Sequence, residues 1–286
     1  MMTTVWSGLS VGAFYAIGGL LFTIPLVRTG IVNFAQAFFV VLGGYMTYEL
    51  QSRGWSSALI IPALFALGFL LGGAQEFLTI RPTKGRHETA LVTTLGAGIA
   101  IQGFILAVWG PNPYSANFFG GSNPFTLFGG RLQPFDLALM ILAVVAGVLL
   151  QYATTATRWG ILGRAAMADQ EAAMLRGVNI PRMRLLAFAF AAGLAVAFGA
   201  IAAPKTGVNY DSGLHLAVFS FAALSIGGFG SFIGTVVGGF IMGLVEAFAS
   251  RYLGVDYVSI LIFVILCTVL VFRPTGIFGR RQLRTV

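Results

Sequence analysis

The stretch Arg158–Arg184, RWGILGRAAMADQEAAMLRGVNIPRMR, is the only long run of water-compatible residues in an otherwise apolar chain. The rest then reads as membrane around one cytoplasmic docking element. Asp169 is a good helix N-cap, and Glu171 lies in the first turn, where the helix dipole favours a carboxylate. Ala172, Ala173, Met174 and Leu175 carry the helix to Gly177, a natural residue for the position after a helix end. Pro181 prevents simple continuation, and a new apolar segment begins at Leu185. A helix of about two turns is marginal alone in water, so something must pack against it. Its face of small side chains suits a groove on a cytoplasmic protein; the alternative is an amphipathic connector on the bilayer surface.

Composition supports the membrane reading. Of 286 residues, 57% are apolar and 9% charged, and the mean hydropathy is +0.89. A soluble domain would have about 25% charged residues. The 38 glycines suit close helix packing in lipid. The single cysteine, Cys267, excludes an intramolecular disulfide and a cysteine-based metal site. Although the net charge is +8, the basic residues are scattered between apolar runs and form no patch with interleaved aromatics, so no nucleic-acid partner is expected. Membrane lipid is the expected surroundings.

Apolar runs fall near 5–27, 33–50, 56–79, 88–109, 134–152, 185–203, 231–250 and 256–272, with a shorter one at 214–229. Basic residues orient them. With the N-terminus outside, the inner connections hold Arg28; Arg81, Lys84 and Arg86; Arg158, Arg164, Arg176, Arg182 and Arg184; and Arg273, Arg280, Arg281 and Arg284. Only Arg53, Arg131, Lys205 and Arg251 remain outside. The expectation is an all-α polytopic protein with about 8–9 passages, N-terminus outside and C-terminus cytoplasmic. Residues 1–286 form one transmembrane domain with its cytoplasmic segment at 158–184. The Pro- and Asn-bearing connection at 110–133 reads as a turn-rich outer loop.

The run 214–229 would be about 24 Å long as a helix, short of a hydrocarbon core of about 30 Å. It ends in Gly227-Gly228-Phe229-Gly230, an interruption that must be buried in protein or line a cavity. A helix stopping there leaves free carbonyls, and one starting at Ser231 offers free N–H groups. Gly227, Gly228, Gly230 and Ser231 are therefore candidate pathway residues, the other reading being a tight turn at the inner surface. Glycines 230, 234 and 238, and 239 and 243, repeat every fourth residue and mark a packing face.

No GxxxxGK[ST] phosphate loop, HExxH or GxSxG is present. A catalytic metal set, a cofactor and a membrane-embedded enzyme are not expected. Of the nine acids, Glu246 lies farthest inside a span, about four residues from its outer end, where it either meets a structural partner or relays protons. The pathway then needs an energy source in another subunit.

Glu171-Ala172-Ala173 followed by Gly177 resembles the EAA-x-x-x-G signature of ABC importer permeases, without the downstream Leu-Pro. Asn33-Phe34-Ala35-Gln36, Arg81-Pro82, the run GGFGSFIGTVVGGFIMGLVE at 227–246 and RPTGIFG at 273–279 resemble the branched-chain amino acid permeases, on the LivH-like side of that family. Ala37 departs from the glycine usual after the first motif. The resemblance implies a bacterial inner-membrane subunit that forms a pathway with a second, LivM-like permease. It also implies two cytoplasmic ATPase subunits and a periplasmic substrate-binding protein as partners. By position, Asp169, Glu171, Ala172, Ala173 and Gly177 would couple to the ATPases, and Asn33 and Gln36 would be pathway residues, or else cap and pack the second span. The other class left open is a stand-alone transporter or channel for a small polar solute such as urea or a short amide. A self-contained carrier has no use for a cytoplasmic docking helix.

Overall fold

The computed structural model describes the chain except residues 84–85, 115–123, 128, 207–208, 274 and 280–286. Lys84, Asn117, Asn123, Pro274, Arg280, Arg281 and Arg284, which the sequence reading used, lie outside the described residues. Eleven α-helices are described: α1 (Met2–Thr29), α2 (Ala35–Ser52), α3 (Ser57–Gln75), α4 (His87–Trp109), α5 (Pro134–Ala156), α6 (Arg158–Ala168), α7 (Gln170–Leu175), α8 (Ile180–Thr206), α9 (Ser212–Gly227), α10 (Phe232–Tyr252) and α11 (Val258–Phe272). The helices of α1, α3, α4, α5, α8, α10 and α11, some with flanking turns, are long and apolar enough to cross a membrane, and α9 is a shorter apolar helix.

The run at 33–50 does form a helix, α2, but it is not among the seven. Gln36, Thr47, Glu49 and Gln51 interrupt its apolarity; its burial does not set it apart, since α1 and α8 are also mostly buried. A second departure concerns the connection at 110–133. Phe125–Leu127 (β1) and Gly130–Leu132 (β2) pair antiparallel as a short hairpin, with Gly129 at φ +77° in its turn.

Contacts divide the chain into two compact units. One comprises Met1–Thr23, Ser122–Thr155 and Val218–Val286. Here α1 and α10 run side by side on small residues: Gly8 faces Ala247, Gly12 faces Gly243, and Ala16 faces Gly239. The second glycine row of α10 serves α9, with Gly238 against Ala223 and Gly234 against Gly227. The fourth-residue spacing thus lets backbones approach where any Cβ would collide. Trp6 Nε1 donates to the Leu127 carbonyl at 3.1 Å, and Ser10 Oγ donates to Asp136 Oδ1 at 2.6 Å. Glu246 hydrogen-bonds with Tyr15, while its Oε2 is buried without a partner.

The other unit comprises Ile24–Gly121 and Ala156–Ala217. Its centre is α8, which packs along α3 and α2. Gly43 of α2 meets the backbone at Val196, while Gly68 and Gly72 of α3 meet Ala192 and its neighbours. After Gln75, α3 widens into a five-residue π turn, Glu76–Ile80, and then tightens into a 3-10 turn, Arg81–Thr83.

Candidate functional site

The segment from Thr157 to Asn179 is assembled from side-chain caps. Thr157 Oγ1 accepts from Gly160 N at 3.2 Å and starts α6. Asp169 both ends α6, its N–H donating to Ala165 O at 3.1 Å, and starts α7, its Oδ1 accepting from Ala172 N at 3.0 Å. Such a double cap forces a sharp change of direction in one residue. Gly177 has φ +84°, its N–H donates to Met174 O at 2.9 Å, and Val178 N donates to Ala173 O at 3.0 Å, which closes α7 in a Schellman-type turn. The two-turn helix with Asp169 and Gly177 at its ends is as the sequence reads. The next helix starts five residues earlier than the apolar run, because Asn179 Oδ1 accepts from Arg182 N at 3.0 Å and Pro181 fits a first helical turn.

The faces of α7 differ from expectation. Ala173 is buried and packs with Ala166 and Met183, flanked by Val178 and Ile180, so it belongs to the protein's own core. Ala172 is half-buried and Glu171 exposed. The outward apolar side chains are Met174 and Leu175, and Leu175 is 90% exposed. Small residues at 172 and 173 therefore let α7 sit down on α6 and α8, and the larger pair faces away. A run of Ala-Ala-Met-Leu does not reveal which face is inward until α8 is placed.

One residue beyond Met183, Arg184 Nε lies 2.6 Å from Glu76 Oε1, the first residue of the π turn. Glu76 is buried. Gln75, its neighbour, exchanges two hydrogen bonds with Asn33: Asn33 Nδ2 donates to Gln75 Oε1 at 2.9 Å, and Gln75 Nε2 donates to Asn33 Oδ1 at 2.8 Å. Asn33 Oδ1 also accepts from Ala35 N at 3.2 Å at the start of α2, and Phe34 N donates to Thr94 Oγ1 at 3.4 Å. Asn33 is thus tied into the protein. Gln36 is different: it is fully buried, and neither its Oε1 nor its Nε2 has a partner. An orphaned buried amide costs about 1–3 kcal/mol per lost hydrogen bond; Tyr45, Ser220, Ser225 and Glu246 also have a buried side-chain oxygen without a partner. Sequence reading missed Gln75, Glu76 and Arg184, since an acid and a base at the ends of separate apolar runs give no sign of meeting.

At the glycine interruption the expected free helix ends are occupied. The carbonyls of Ile226 and Gly227 accept from Ile277 N at 2.9 Å and Phe278 N at 3.0 Å. Ser231 Oγ accepts from Gly234 N at 3.0 Å, and Gln151 Oε1 accepts from Phe232 N at 3.2 Å. Gly228 (φ +112°) lies directly against Gly276 and Gly279, and Gly230 has φ +88°. Residues 276–279 cover the break, and the N–H groups of Phe232 and Gly234 are already taken.

Comparison with known proteins follows the same lines. Residues 4–270 match the family described as branched-chain amino acid transport system / permease component. The chain is 26% identical to the high-affinity branched-chain amino acid transport system permease protein LivH of Salmonella typhimurium, over 99% of this chain and 96% of that protein. It is 27% identical to the permease protein BraD of Pseudomonas aeruginosa, over 98% of this chain and 96% of that one. The ribose import permease protein RbsC of Haemophilus influenzae is 25% identical over 83% of this chain and 73% of its own. No solved structure matches the chain. A multi-pass membrane protein matched over nearly its whole length, the chain belongs to the branched-chain amino acid transport system permease family.

Proposed function

We propose that the chain is one of two permease subunits of a bacterial inner-membrane ABC importer, and that it carries a branched-chain or related amino acid. The observation that carries this reading is α7: a short capped helix, seated on α6 and α8, that presents Met174 and Leu175 outward. Two exposed apolar side chains on a cytoplasmic turn are what a groove in an ATPase subunit would cover. No nucleotide-binding loop exists in the chain, so ATP hydrolysis falls to two such subunits, and a binding protein delivers the substrate from outside. Both compact units together make up the single permease domain, with the N-terminus outside and the C-terminus in the cytoplasm. Gln36 is the pathway residue best supported, because a buried amide without partners can meet a passing carboxylate or ammonium. Asn33 serves it by fixing the start of α2.

The test is uptake into proteoliposomes holding this chain, a LivM-like permease, two ATPase subunits and the binding protein. Labelled leucine should enter only with ATP inside and with every subunit present. Uptake by the chain alone, of leucine, urea or a short amide, would instead establish a stand-alone carrier. Ribose, the cargo in the name of one relative, is the comparison substrate. Orientation is tested on a Cys267→Ser background by single cysteines at Arg86 and Arg131: an impermeant thiol reagent should label intact cells at 131 and not at 86.

A further inference from the structure

We propose that the Glu76–Arg184 ion pair and the Asn33–Gln75 amide pair form one polar linkage that passes displacement of α7 to the start of α2, where Gln36 lies. The proposal rests on the reading of α7 as the docking helix. Its parts form an unbroken physical series. Ala173 of α7 packs on Met183 of α8. The next residue, Arg184, holds Glu76 at 2.6 Å, and Gln75, adjoining Glu76, holds Asn33 through two hydrogen bonds of 2.9 and 2.8 Å. Asn33 in turn binds the backbone of Ala35, one residue before Gln36.

Stability does not explain these groups. A buried ion pair gives no net advantage over well-packed apolar residues of similar volume, because desolvation offsets the attraction. Both groups stand at the ends of apolar runs, with Glu76 buried and Arg184 partly exposed, and each is held by the other. Hydrogen bonds and a short ion pair are directional, so they oblige α3, α8 and the residues before α2 to move together, whereas a greasy contact would let them slide. The π turn that begins at Glu76 is a wider helical turn of a kind frequent at functional sites, and it lies where the linkage enters α3.

The experiment uses the assembled complex in proteoliposomes and reads leucine taken up per ATP hydrolysed. The double variant Glu76→Leu/Arg184→Met removes both charges together and leaves none stranded. It should assemble and hydrolyse ATP with the binding protein, yet its uptake per ATP should fall at least about fivefold, the lower end of ordinary coupling factors. Asn33→Leu/Gln75→Leu removes the other half of the linkage and should show the same loss. Uptake per ATP within about twofold of the wild type in whichever double variant assembles would overturn the proposal. So would failure of both to assemble, which would make the groups structural only. Failure of the underlying reading looks different: the wild-type complex would then take up no leucine with ATP, or a Leu175→Asp variant would bind and use its ATPases normally.

Discussion

Two interruptions in this chain are built from the same parts. At Asp169–Gly177 and at Gly227–Ser231, a helix ends, a glycine takes positive φ, and a Ser or Asp side chain caps a helix start. At the second, the N–H groups of Ile277 and Phe278 occupy the helix end. At the first, the polar groups are satisfied locally and Leu175 is left 90% exposed. The comparison teaches that a break is not itself a site. What the chain leaves uncovered beside it is the better guide, and here that is a pair of apolar side chains.

The most damaging way to test this contrast is Leu175→Asp. It changes an exposed side chain, so membrane level and thermal midpoint of the permease should stay unchanged. Co-purification of the ATPase subunits and ATP-driven uptake should fall by about tenfold or more, as for loss of a central apolar contact. Normal uptake would remove the basis for distinguishing the two breaks.

Ala173→Asp, two residues away, should behave oppositely. A carboxylate placed among Ala166, Met183, Val178 and Ile180 would be unpaired and buried, at a cost of about 3 kcal/mol or more. The expected result is loss of folded permease, seen as a lower thermal midpoint and less protein in the membrane. A stable, uncoupled Ala173→Asp protein would mean that this face of α7 meets the partner after all.

Gly228→Ala probes the covered break. Its φ of +112° and the backbone of Gly279 both resist a Cβ, so destabilisation of about 2 kcal/mol is expected. Uptake per surviving complex should stay normal. If stability held while uptake per complex fell, the break would border the pathway, as its glycines first suggested. The smallest effects belong to the caps: Asp169→Ala and Ser231→Ala should each cost about 1 kcal/mol, measured as the shift in thermal midpoint. Only Asp169→Ala should also weaken ATPase binding, since only that helix is proposed to dock.

Much of the architecture was legible because local physics settles it. A run of some twenty apolar residues has few places to be other than a membrane helix, and α1, α4, α5 and α10 lie close to where hydropathy puts them. Asp169 and Gly177 act within their own turn, so their roles could be read directly. Glycines 234, 238, 239 and 243 announced a packing face by spacing alone, although not that one row serves α9 and the other α1. The apolar run at 33–50 reads as another span, but Gln36, Thr47, Glu49 and Gln51 lower the apolarity of α2 below that of the seven long helices.

Local patterns in the chain thus gave most of the long apolar helices, the Asp169 and Gly177 ends of α7 and the resemblance to the permease family, but not α6 or its Thr157 cap. Tertiary structure alone decided which atoms remain without partners. Arg184 and Glu76 are 108 residues apart, and Asn33 and Gln75 are 42 apart; no local rule brings them together. The same holds for Ile277 closing Ile226, for Ala173 turning inward while Leu175 turns out, and for Gln36 being left unpaired. Hydropathy and capping act over a few residues along the chain, whereas satisfaction of a buried polar group depends on whatever helix packing places within about 3 Å of it.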